Sequence, residues 1–167
     1  GGSTITMQVA RNFFLSREKT YTRKLREIFL ALKIEQHLSK EEILELYLNK
    51  IYLGHRSYGV AAAAEVYYDK ALSELELPQF AMVAGLPKAP SRYNPIVNPS
   101  RATSRRDYVL GRMHELGYIE TESYRAALET PVSAELHARS LELDAPYVAE
   151  MVRAEVVERF GSELAYT

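Results

Sequence analysis

The stretch RKLREIFLALKIEQHL, residues 23–38, decides the fold class. Leu25, Ile28, Phe29 and Leu32 recur at i, i+3, i+4 and i+7, which is one stripe of an α-helix. The next stretch, KEEILELYLNKIYLG (residues 40–54), repeats the period. Ser39 and Glu42 form an S-x-x-E capping box at its start. Ile43, Leu44, Tyr47, Leu48 and Ile51 are expected to face inward, and Gly54 to end the helix. Further along, GVAAAAEVYY (residues 59–68) is Ala-rich, so helices can approach it closely. Pro78 is tolerated only near a helix start, and a helix through QFAMVAGL is expected to begin there. The four prolines of LPKAPSRYNPIVNP (residues 86–99) predict a long ordered loop or arm. Asn98 and Pro99 then predict the cap and first position of a helix running to Gly117, and a short helix follows Thr121. Strand signals are weak. The expected fold is all-α.

Pro131 marks a change. Residues 132–143 carry no helical stripe and read as a linker. Asp144 and Pro146 then open a last predicted helix, with Val148, Met151, Val152, Val156 and Phe160 on one side. The expected division is a domain over residues 1–130 and a linker segment over residues 131–167.

The chain has 167 residues, enough for one domain with a core of its own. There is no Cys, which excludes disulfides and thiolate metal sites. His37, His55, His114 and His137 make no metal-type pair at i, i+4. No apolar run reaches the roughly 18–20 residues of a membrane span. Net charge is −1, so the whole chain exerts no pull on nucleic acid or membrane. Locally the charge is uneven. Residues 11–26 carry six basic side chains (Arg11, Arg17, Lys19, Arg23, Lys24, Arg26) against Glu18 alone. Residues 88–112 carry six more against Asp107, and residues 113–167 have eleven acids against four bases. Two basic segments and an acidic tail predict a local anion site.

Within RKLRE, Glu27 lies one turn from both Arg23 and Lys24. Alone, that spacing reads as a solvated ion-pair face worth about 0.2–0.5 kcal/mol per pair. The strip GGSTITMQ (residues 1–8) changes the weighting. Arg11, Lys19, Lys24 and Arg26 stand beside hydroxyls, an amide and glycine N–H groups, and such a cluster suits a polyphosphate. Phe13, Phe14 and Leu15, next to the basic run, fit either buried core or an apolar lip at a membrane interface. In SRRDYVL (residues 104–110), a basic pair at a helix start predicts acidic partners on another helix. Glu41, Glu42 and Glu45 are the candidates for that structural clamp.

Taken together, these motifs resemble the peptidoglycan glycosyltransferase domain of class A penicillin-binding proteins, glycosyltransferase family 51. GGSTITMQ resembles the family's second motif, RKLRE its third, KEEILELYLNKIYLG its fourth and RRDYVL its fifth. The four occur in order over residues 1–110. GLPKAPSRYNP (residues 85–95) and APYVAEMVRAEVVERFG (residues 145–161) resemble the Gram-negative 1A type of that family. The resemblance implies a lysozyme-like α-helical fold with a cleft. It implies polymerisation of lipid II into glycan strands, with undecaprenyl pyrophosphate leaving. The pyrophosphate-contacting positions fall on Arg11, Lys19, Lys24 and Arg26, and an essential glutamate falls on Glu27. Gly2, Ser3, Thr4 and Gln8 match substrate-binding positions, and Glu45 and Asn49 match positions that shape the cleft. Glu27 is expected to organise the basic cluster, or a divalent cation such as magnesium, around the pyrophosphate. No other cofactor and no fixed metal site is implied.

The family's first motif, E-D-x-x-F-x-x-H-x-G, is expected just before Gly1. Its glutamate is regarded as the acceptor base, so residues 1–167 alone are expected to be inactive. The parent is expected to carry an upstream membrane anchor and a downstream transpeptidase domain, and to work at the periplasmic face of the inner membrane. Its expected partners are lipid II, the growing glycan and cell-wall synthesis proteins, with no nucleic acid. Three residues depart from the family pattern: Met7 in place of Gln, Lys19 in place of Arg, and Asp69 in place of an expected Gly. Two rivals remain: a non-catalytic scaffold of the same fold, and an all-α nucleic-acid-binding module with a steep salt dependence.

Overall fold

In a computed structural model, the described residues are 2–15 and 20–137. The helix expected after Pro146 and the basic residue Lys19 lie outside them. The described residues are mainly α, as expected. In order they form α1 (Ile5–Phe14), α2 (Tyr21–His37), α3 (Lys40–Lys50), β1 (Tyr52–Gly54), β2 (Ser57–Tyr58), α4 (Val60–Tyr68), α5 (Leu77–Gly85), α6 (Pro99–Glu115) and α7 (Thr121–Glu129).

Local chemistry explains most boundaries. Thr4 Oγ1 accepts from Met7 N at 3.1 Å and starts α1. Thr20 does the same for α2 through Arg23 N at 3.2 Å. The Ser39–Glu42 capping box forms reciprocally at α3, at 2.8 and 3.2 Å. Pro78 lies in the first turn of α5. At α6, Pro99 opens the helix but Asn98 does not cap it with its side chain. The Asn98 amide donates instead to Ser91 O at 3.2 Å, closing the proline loop.

Three findings at this level correct or complete the sequence reading. First, α3 stops at Lys50, and residues up to Gly54 form an antiparallel ribbon with Ser57–Tyr58. The ribbon turns through His55 and Arg56, both at positive φ, so it lacks the Asn-Gly signature that marks such turns in a sequence. Second, the stripe of α2 faces outward: Leu25, Phe29 and Leu32 are exposed. The buried line of α2 runs through Glu27 and Ala31, against which α1 packs. Third, Leu44 on α3, expected to face inward, is exposed, and Phe13 and Phe14 are exposed too, which removes the buried-core alternative for them.

The main core lies around α4 and α5, where Leu53, Ala63, Ala64, Tyr67, Met82 and Leu86 interlock. The three alanines 62–64 are buried, so neighbouring elements reach the backbone of α4. A second cluster joins Ala81, Leu110 and Ala127 across α5, α6 and α7. Residues 132–137 lie against this body. Val132 and Ala134 pack on the main core, Glu135 N donates to Tyr67 O at 3.0 Å, and His137 N donates to Val66 O at 2.9 Å.

Candidate functional site

The caps of α1 and α2 bring Ser3 and the first two turns of α2 together. Glu27 is fully buried there. Its Oε2 accepts from Arg23 Nη1 at 2.6 Å, and its Oε1 accepts from Lys24 Nζ and, at 3.4 Å, from Ser3 Oγ. Lys24 Nζ also donates to Ser3 Oγ at 2.8 Å and lies 4.0 Å from Met7 Sδ. The solvated ion-pair reading of RKLRE is therefore wrong: this is a buried carboxylate clamped by two cations. Burial pushes the Glu27 carboxyl up, but the hydrogen bonds and charges of Lys24 and Arg23 outweigh it and hold the group below the ordinary carboxylate value. Held ionised, buried and engaged at both oxygens by cations, the carboxylate is placed to organise charge rather than to collect a proton. Its effect is to fix Lys24, whose side chain stays 39% exposed and can meet an anion.

The other singled-out residues divide. Arg11 lies one turn beyond Met7 on α1 and opens onto a cavity of about 750 Å³. Arg26 stands apart from the clamp, in an apolar depression of about 440 Å³ with Leu15, Phe29 and Lys33. Gly2 is exposed, Thr4 caps α1, and Gln8 is half-buried on α1. Glu45 and Asn49 are exposed on α3. Asn49 acts through its backbone: a Cβ at Gly59 would sit 2.6 Å from Asn49 O, so α3 and the ribbon approach as only glycine permits.

The clamp expected for RRDYVL exists with other partners. Arg106 is buried in mid-helix, bonded to Asp107 Oδ1 at 2.9 Å and to the carbonyls of Thr130 at 2.6 Å and Leu128 at 3.3 Å. Those carbonyls close α7, whose dipole favours a cation there. Glu41, Glu42 and Glu45 take no part. Arg105 donates to Gly85 O at 3.3 Å and stacks over Tyr108 at 4.8 Å.

Sequence reasoning left Arg23 out of the site, although its i−4 spacing to Glu27 was visible. It also missed Lys50, Tyr52, Arg56 and Tyr58, which share the cavity with Arg11. The turn that presents Arg56 has its glycine at position 54, just before the two central residues, so the usual hairpin signature is missing from the sequence. As for a cation, no three His, Cys, Asp or Glu side chains converge among the described residues. With both Glu27 oxygens already engaged, a protein-held divalent ion does not fit this donor set.

The family model for transglycosylase matches residues 1–114. The chain is 61% identical over its full length to penicillin-binding protein 1A of Pseudomonas aeruginosa and 59% to that of Vibrio cholerae, spanning about 20% of each. It is 54% identical over 99% of its length to the Escherichia coli protein of the same name, spanning 19% of it. The crystal structure of penicillin-binding protein 1A from Haemophilus influenzae superposes with a TM-score of 0.59 at 44% identity, covering 98% of this chain and 21% of that one. The chain thus spans about a fifth of the relatives it matches. With four motifs in order, a matching fold and more than half its length under the family model, the chain belongs to the transglycosylase family.

Proposed function

We propose that this chain supplies the leaving-group half of a peptidoglycan glycosyltransferase site, which polymerises lipid II and releases undecaprenyl pyrophosphate. The observation that carries the reading is the buried Glu27 clamp, with Lys24 fixed yet still reachable from solvent. In the reaction the sugar C1–O bond breaks and its electron pair goes to the pyrophosphate. Negative charge grows on those oxygens as the acceptor hydroxyl closes on C1. Cations placed beforehand stabilise that state more than the ground state. Lys24 and Arg11 take this role, with Lys19 and Arg26 as the remaining candidates, and Ser3, Thr4, Gln8 and the Gly2 backbone complete the cradle. Glu27 keeps Lys24 and Arg23 in position when no substrate is bound. The acceptor proton needs a base from the first motif, which is not among these residues.

The finer parts of the reading follow the same relatives. Residues 1–130 form the glycosyltransferase part, and residues 131–167 lead toward a penicillin-binding transpeptidase domain in a bifunctional parent. The parent works at the periplasmic face of the inner membrane, with cell-wall synthesis proteins as partners. No helix among the described residues is long and apolar enough to cross a membrane. The exposed Phe14, Leu25, Phe29 and Leu32 beside Arg26 and Lys33 support a position close to lipid.

The test is lipid II polymerisation by the full-length protein, wild type beside Glu27→Gln, read as glycan ladders. The expected result is a ladder in the wild type, its loss in the variant, and weakened binding of the lipid-linked donor. Loss of the ladder with donor affinity unchanged would give Glu27 a chemical role instead. No ladder from a folded wild type would leave a non-catalytic scaffold.

A further inference from the structure

The turn between β1 and β2 carries a run of strain. Gly54, His55 and Arg56 lie at φ 95°, 41° and 57°, three successive residues in the left-handed half of backbone space. Only the first is glycine. L-residues hold such values at a cost, and they persist where the surroundings over-determine them. The ribbon's own ladder has just the pairs Tyr52–Tyr58 and Gly54–Ser57, so the turn must be fixed from outside it.

Buried hydroxyls fix it from beneath. Tyr67, fully buried on α4, donates its hydroxyl to Leu53 O at 2.9 Å. Ser57, also buried, donates to Gly54 O at 2.6 Å. The two carbonyls that lead into His55 and Arg56 are thus each held by a side chain. A third group reaches in from the proline loop. Buried Asn94 donates from Nδ2 to the Tyr67 hydroxyl at 3.3 Å, while its Oδ1 accepts from Ile96 N at 2.9 Å and from Val97 N at 3.1 Å. One amide therefore joins the proline loop to the hydroxyl under the ribbon. The fit leaves no slack: a Cβ at Gly54 would lie 2.5 Å from the Tyr67 hydroxyl oxygen and 3.3 Å from Asn94 Nδ2. Burial, then the nearby Tyr52, pushes the Tyr67 phenol up to about 12, so it stays protonated and donates through the neutral range. Packing alone would be met by phenylalanine, and it leaves the hydroxyl unexplained.

The turn carries Arg56, which lines the same cavity as Arg11. No helix holds its Cα, so its placement is set by the braces below. We infer that Tyr67, supported by Ser57 and Asn94, is a positioning residue of the glycosyltransferase site, which holds the ribbon turn so that Arg56 stands at the cavity it shares with Arg11. The inference rests on the reading above, in which cations of this region meet the anionic donor. All three residues are buried and act through the backbone of residues 53–56.

The test is a double-mutant cycle in the full-length protein, Tyr67→Phe against Arg56→Asn, read as kcat/KM for lipid II polymerisation. Phe keeps the ring and leaves Leu53 O unheld. Asn removes the Arg56 charge and accepts positive φ better than most side chains. Tyr67→Phe alone is expected to lower kcat/KM about tenfold, as a misplaced binding group does. Ser57→Ala, which frees the other carbonyl, should act in the same direction. In the Arg56→Asn background the Tyr67→Phe effect should shrink to less than about twofold, since the group it positions is gone. An equal effect in both backgrounds would overturn the inference, because lost stability acts whether or not Arg56 is present. So would a folded Tyr67→Phe with unchanged kcat/KM. If the wild type makes no polymer, the glycosyltransferase reading fails, and the brace is judged by hydrogen exchange in Tyr67→Phe. A larger acceleration at Gly59 N–H, which closes the ribbon on Ile51 O at 2.8 Å, than in α5 supports the brace. Equal acceleration at both, or none, would overturn it.

Discussion

Asp69 closes α4 with φ 50° and ψ 42°, and its N–H reaches back to Glu65 O at 2.9 Å. The position does need the left-handed conformation, and Asp occupies it at a cost that glycine avoids. Asp69→Gly is expected to raise the unfolding free energy by about 0.5–1 kcal/mol, less what the looser unfolded chain takes back. Urea unfolding of the two proteins checks this, and a loss of stability would show that the Asp side chain contributes something else. Glu27 is the opposite kind of residue. Its spacing to Arg23 and Lys24 was legible, but its burial was not. Sequence period alone cannot say which face of an amphipathic helix a neighbour covers. Here α1 covers the line through Glu27 and Ala31, and the larger apolar residues are left outside.

Among the helices, those with chemical punctuation were readable. The Ser39–Glu42 box, Pro78 and Pro99 each mark a start, because they act on the few residues beside them. The ribbon after α3 was not readable, because its two central turn residues, His55 and Arg56, reach positive φ without being Gly, Asn or Asp. The partner of Arg106 was misjudged for a related reason. The carbonyls of Leu128 and Thr130 carry no mark in the sequence, whereas Glu41, Glu42 and Glu45 do. Arg106 docks α7 by its end, and the apolar contact of Leu110 with Ala127 docks it by its side. Arg106→Met should cost about 1.5–3 kcal/mol, the range for hydrogen bonds to a charged group. Thermal unfolding gives the size, and hydrogen exchange should show faster exchange in α7 than in α4. An even increase across all helices would assign Arg106 to the core as a whole.

The described residues join two regions held by different forces. Around α4 and α5 the contacts are apolar. Around α1 and α2 two carboxylates carry much of the organisation: Glu27 in its clamp, and Glu35, which accepts from Thr6 Oγ1 at 2.5 Å and from Lys40 Nζ at 2.9 Å. The Thr6 hydrogen bond, then Lys40, lower the Glu35 carboxyl, as Lys24 and Arg23 lower Glu27. Both folded values lie below the unfolded ones. Their contribution is thus complete above the ordinary carboxylate range, near pH 4–5, and is lost as pH falls through the lowered folded values. Acid is expected to speed amide exchange in α1 and α2 before α4 and α5. Simultaneous release of all four helices at one pH would show that the two regions unfold as one.

The bonds from Glu135 and His137 to α4 also have a mechanical meaning. They use the carbonyls of Tyr67 and Val66, at the end of a helix whose side chains fill the core. A pull on the chain beyond His137 is therefore delivered to the best-packed helix before it reaches any surface loop. The segment works as an anchorage, and tension from that side would load the interior of the molecule first.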